Sequence, residues 1–135
     1  MGVSFLHKLE GISMSAAAKS IYFFSFWVLF NGIALLLIPE FFLGLLGVSE
    51  SAASVARIFG MVLLYLAFYY FMAGRQGQMT DFYRWTTYTR PTALMFAIIF
   101  FVTGQVSWLL IPFVMIDLLG ALWTHLALKK DAGPT

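Results

Sequence analysis

The sequence predicts an all-α protein, a four-helix transmembrane bundle with both termini in the cytoplasm. Three observations carry that expectation. Hydrophobic residues fill 61% of the 135 positions and charged residues only 10%, whereas a soluble domain carries about 25% charged residues. Four apolar blocks alternate with polar breaks along a single domain, residues 1–135. Lys and Arg gather in every second connection, which by the positive-inside rule puts those connections and both ends on the cytoplasmic side.

Residues 1–18 do not span. Phe5, Leu9, Ile12 and Ala16 recur at helical spacing, with His7, Lys8 and Glu10 elsewhere on the wheel. An amphipathic helix in the headgroup region and a frayed tail both fit. The first span is expected over residues 20–38, stopped by Pro39-Glu40. Its length and the lack of a small-residue cleavage site make it a retained anchor and not a signal peptide. Phe41 to Val48 is too short to cross and is expected as a short interfacial helix.

Ser49 and Glu50 form a start signal for the second span, residues 51–73, which Gly74-Arg75-Gln76-Gly77-Gln78 breaks. Thr80-Asp81 is a further cap signal, opening the polar, aromatic stretch DFYRWTTYTR before Pro91. The third span covers residues 91–104. It either starts at residue 81 as one helix kinked at Pro91, or follows a separate surface helix. Gln105 to Trp108 is a turn, and the fourth span runs over residues 110–128 until Lys129-Lys130-Asp131.

The chain lacks cysteine, so disulfide and thiolate chemistry are excluded. A net charge of +2 with no basic run excludes nucleic acid as a partner. No nucleotide fingerprint, catalytic triad or zinc-helix motif occurs, and neither a cofactor nor a metal is expected. His125 has no carboxylate three or four residues away to complete a metal site.

Chemistry is concentrated instead in a few polar residues inside the apolar blocks. Asp117 stands within LLIPFVMIDLLGALWTHLAL, where a carboxylate costs about 2.5–3.5 kcal/mol on insertion scales and so should face other helices or a wet cavity. Counted at the helical rise, Asp117 and Asn31 lie roughly 10 Å below the outer ends of their spans, and Arg57 roughly 5–9 Å. Gln105 and Thr103 close the third span at the same end. Each helix thus offers a polar group to one layer in the outer half of the bundle.

Arg57 and Asp117 are the expected pair, since an unpaired charge in such a layer is far costlier than a bidentate one. Arg57, Gly60, Met61, Leu64 and Phe68 share one stripe, and Asp117, Gly120, Ala121 and Thr124 another, with small residues allowing close approach. Asn31, Arg57, Gln105 and Asp117 then either glue the helices together or bind the polar end of a hydrophobic molecule. At the cytoplasmic side Arg75, Arg84, Arg90, Trp85, Tyr88, Trp123 and His125 read as an aromatic belt with positive-inside arginines. Arg75 and Arg90 could also hold an anionic lipid headgroup or another acidic ligand.

The runs ARIFGMVLLYLAFYYFMAGR, DFYRWTTYTRP and DLLGALWTHLAL, within residues 52–128, resemble the BphX-like family of small bacterial four-helix membrane proteins. The residues in question are Arg57, Gly60, Arg75, Phe82 to Thr86, Arg90-Pro91 and Asp117 to Thr124. The resemblance implies a bacterial inner-membrane protein and, because that family has no established activity, no mechanism. The function expected is a non-enzymatic binding or accessory protein holding a lipid, a small hydrophobic molecule or a partner's helix, as a homo-oligomer or within a larger membrane complex. The alternative is a compact membrane enzyme or proton-coupled carrier using Asp117 with Arg57.

Overall fold

The computed structural model describes residues 14–133. The amphipathic segment expected at the N-terminus falls largely outside them. Among the described residues six α-helices follow one another: α1 (Ala16–Leu37), α2 (Pro39–Leu45), α3 (Ala53–Gln76), α4 (Thr80–Thr89), α5 (Thr92–Val102) and α6 (Leu110–Ala132). A single 3-10 turn, Glu50–Ala52, leads into α3, and no strand occurs among the described residues. Helices α1, α6 and α3 with its lead-in are long and apolar enough to cross a membrane.

The breaks have local causes. Pro39 ends nothing within α1 but occupies the first turn of α2, where its missing N–H is harmless. Ser49 accepts from the Ser51 N–H and caps the 3-10 turn. Helix α3 continues through Gly74 and stops at Gly77, whose φ of 77° is left-handed and suits a glycine. Thr80 does not cap α4: Met79 is the cap residue, without a side-chain bond, and Thr80 is already helical.

Helices α4 and α5 continue one another across a proline joint. Arg90 and Pro91 both keep right-handed helical backbone. Beyond the joint, Ala93 and Leu94 donate to Arg90 and Pro91 at 3.1 and 3.2 Å, a tightened three-residue spacing. The interruption at Arg90-Pro91 has the usual cause, that proline removes a donor and crowds the preceding turn.

Helix α1 is the axis of the assembly. It packs along α3 on one side and against α6 on another, and α6 also packs against α4 and α5. No packed seam joins α3 to α5. The α1–α3 seam depends on glycine: a Cβ on Gly60 would lie 2.8 Å from the Gly32 carbonyl oxygen and 2.9 Å from the Leu36 nitrogen. Ala56, Gly60, Ala67, Tyr70, Ala73 and Gly74 are the buried positions of α3. The stripe expected to face inward is therefore only partly correct, since Arg57, Met61 and Phe68 are exposed.

The two ends of the bundle differ. Where α1 begins and α6 ends, the core is dense, with Ala17, Ala18, Ile21 and Ala127 buried together and the Tyr83 hydroxyl donating to the Ala73 carbonyl. Asp131 closes this end. Its two carboxylate oxygens accept from the Ala16 and Ala17 N–H groups at 3.0 and 2.9 Å, while Ser15 accepts from Ala18 at 3.1 Å. A carboxylate at a helix N-terminus also meets the positive end of the helix dipole. Asp131→Ala is expected to lower stability by about 1 kcal/mol, read as an earlier midpoint in a detergent unfolding titration. At the opposite end, α2 folds back and Ser107 bonds the Leu45 and Leu46 carbonyls. There the interior opens into a cavity.

Candidate functional site

The cavity measures about 540 Å³ and is walled by every helical segment except α4's first turns. Its lining is overwhelmingly apolar: Phe24, Trp27 and Leu35 from α1, Phe42 from α2, Leu63 from α3, Ala97 from α5 and Phe113 from α6. A handful of polar groups break this surface, namely Asn31, Tyr70, Thr89, Arg90 and Asp117. Phe59 and Leu66 of α3 and Phe96 and Phe100 of α5 line it while being exposed on the outside. The gap between α3 and α5 is thus a side mouth with a wholly apolar rim.

Arg90 is the centre of the polar part. Only 6% of it is exposed. Its Nε donates to the Thr86 carbonyl at 3.3 Å, and its Nη2 donates to the Thr86 and Thr124 hydroxyls at 3.0 and 2.6 Å. The Thr124 hydroxyl lies 2.7 Å from that of Ser20, which reaches the Ala17 carbonyl at 2.7 Å. A directed chain satisfies all of these groups: guanidinium to Thr124, Thr124 to Ser20, Ser20 to backbone. The guanidinium carbon also sits 4.5 Å from the centre of the Phe24 ring, a cation–π contact. Its Nη1 is buried and has no hydrogen-bond partner among the described residues.

The local sequence explains why this arginine points inward. Tyr83, Thr86 and Arg90 follow at spacings of three and four, so they share one face of α4, and all three are buried. Arg84 is six residues earlier, about 240° away around the helix; it is exposed and pairs with Asp81 at 3.3 Å.

Asp117 projects from α6 into the same cavity, facing the side chain of Trp27. It shares the space with Arg90 but forms no ion pair with it. Asn31 lines the α1 wall, anchored by a bond from its Nδ2 to the Trp27 carbonyl at 2.7 Å. Below Asp117, Gly120 leaves room for the guanidinium: a Cβ there would stand 3.1 Å from Nη1. The expected Asp117–Gly120–Ala121–Thr124 stripe does face inward, with Ala121 and Thr124 buried.

Several expectations need correction. Arg57 does not meet Asp117. It lies near the start of α3, level with the first turn of α2, and bonds Glu40 at 3.2 Å with both side chains about half exposed. The nearer carboxylate wins because α2 folds back over the end of α3, leaving Arg57 outside. Gln105 is not a cavity residue either; it is exposed in the turn before α6, with its Nε2 donating to the Thr103 hydroxyl at 3.1 Å. Arg75 and Arg90 cannot form one anion site. Arg75 is exposed beside the Phe71 ring at 5.8 Å, whereas Arg90 is interior. Of the proposed layer, the structure brings together Asn31 and Asp117, and adds Arg90 where Arg57 was expected.

No family model, curated protein or solved structure matches the chain.

Proposed function

We propose that this is an integral membrane binding protein that takes a small, largely apolar molecule from the bilayer into its central cavity. The single observation behind this reading is the pairing of an apolar cavity with a buried arginine whose Nη1 has no partner. A buried guanidinium N–H left unmade is costly in an otherwise satisfied network. An acceptor oxygen on a ligand would relieve it, while the aromatic walls take the ligand's body, the usual division of labour in such pockets. The apolar rim between α3 and α5 supports entry from the lipid side.

The membrane setting is part of the proposal. The rod made by α4 and α5 serves as the fourth crossing, completing a four-helix transmembrane bundle. Lys19, Arg75, Arg84, Lys129 and Lys130 all belong to the end where α1 starts and α6 finishes, so that end is cytoplasmic. We place the protein in a bacterial inner membrane, as the likeness to the BphX-like family suggests. Catalysis by Asp117 with Arg57 is not favoured, because Arg57 is engaged with Glu40 at the surface.

Native mass spectrometry after extraction in a mild detergent tests the reading. The expected result is a stoichiometric small-molecule or lipid adduct that is lost in Arg90→Met. An adduct-free protein from several membrane sources would overturn it.

A further inference from the structure

We infer that the molecule held in this cavity presents a neutral hydroxyl, phenolic or alcoholic, which bridges Arg90 and Asp117. The inference rests on the binding reading above and names the ligand's chemistry. Charge decides first. Arg90 and Asp117 face the same cavity, and with both ionised their opposite charges cancel. An anionic ligand would leave one net negative charge beside Asp117 in a low-dielectric space, and a cationic one would leave a net positive charge beside Arg90. A neutral group disturbs neither.

Hydrogen bonding decides next. The site offers one fully buried open donor, Arg90 Nη1, and a carboxylate acceptor, Asp117, with the Tyr70 hydroxyl and the Asn31 amide on the same lining. An ether or ketone can accept from the first but gives nothing to the second. A hydroxyl does both, and its proton goes to the charged acceptor, the stronger kind of bond.

Distance agrees. Nη1 stands beside Gly120, and Asp117 is three residues earlier on the same face of α6. That offset is about 4.5 Å along the helix. A hydroxyl oxygen that accepts from a nitrogen and donates to a carboxylate, at its bent angle, spans about 4.5–5 Å. The rest of the ligand would then lie along Phe24, Trp27, Tyr70 and Phe113 toward the mouth beside Phe96, a path that suits a flat or ring-bearing apolar body.

The test uses the full chain in mild detergent, with binding measured by calorimetry against matched micelles. The probes share one skeleton: naphthol, methoxynaphthalene and naphthoate. Naphthol is expected to bind the wild type at least about tenfold tighter than either of the others, equivalent to one hydrogen bond to a charged group. In Asp117→Asn, which keeps the side chain's shape, naphthoate is expected to gain at least about tenfold, because the repelling charge has gone. Dioctanoylglycerol, a lipid alcohol, separates the two sources of the hydroxyl: tighter binding than naphthol assigns a lipid, weaker binding a small aromatic compound.

Naphthoate binding tightest to the wild type would overturn the inference in favour of an anion site. Equal binding of all three aromatic probes would also overturn it while leaving the cavity reading intact. Saturable binding by no probe, together with an adduct-free native spectrum, would sink both.

Discussion

Arg90→Met is expected to cost the protein about 3–5 kcal/mol, the range for removing one partner from a buried charge constellation, and to abolish ligand retention. Two opposing effects set the size. The substitution removes three bonds from a charged donor, each worth about 1.5–3 kcal/mol. It also spares the desolvation of a guanidinium, which recovers part of that loss. What tips the balance is Asp117, left in the same cavity without the opposite charge that makes it tolerable. The double variant Arg90→Met/Asp117→Asn should therefore be more stable than Arg90→Met alone, with a coupling of about 0.5–3 kcal/mol. Unfolding by SDS titration at neutral pH measures all three variants. Arg57→Met is the control: its pair with Glu40 is half exposed, and such pairs are worth about 0–1 kcal/mol. If the two arginine variants unfold together, the interior role assigned to Arg90 is wrong.

Gly60→Ala is expected to be damaging for a wholly different reason. Its new methyl would meet backbone atoms, the Gly32 oxygen at 2.8 Å and the Leu36 nitrogen at 2.9 Å, and neither can swing aside as a side chain would. The helices must separate, which costs about 1–3 kcal/mol and loosens contacts along the whole seam. Gly60→Leu should prevent the seam from forming. Gly44→Ala is the matched comparison, because nothing lies within 4 Å of a Cβ at that position and it is exposed in α2. An unchanged SDS midpoint for Gly60→Ala would show that the α1–α3 seam contributes little.

The apolar blocks, the turn at Gln105 to Trp108, the short helix after Pro39 and the inward face of α6 were legible because each rests on local pattern: block length, proline position and helical spacing. Asn31 and Asp117 were legible as cavity residues for the related reason that a polar group in an apolar helix has few tolerable directions. Arg57 was misread because its partner is chosen by how α2 folds back, a tertiary fact that periodicity does not encode. Arg90 was expected at the cytoplasmic surface with Arg75 and Arg84 because a charge-counting rule does not say which way a side chain on a helix faces. A signal for the inward face was present: Tyr83, Thr86, Arg90 and Ala97 recur on one helical face. Asp131 carried no signal at all, since its acceptors' partners stand 114 and 115 residues away.

That last contact bears on how the protein is made. During translation, α1 is the first of these helices to leave the ribosome, and among the described residues that precede it Ser15 is the one that accepts from its opening N–H groups. The carboxylate that satisfies the others emerges more than a hundred residues later, after every intervening segment has been threaded. This tie between the first and the last of these helices therefore closes only after synthesis has passed Asp131.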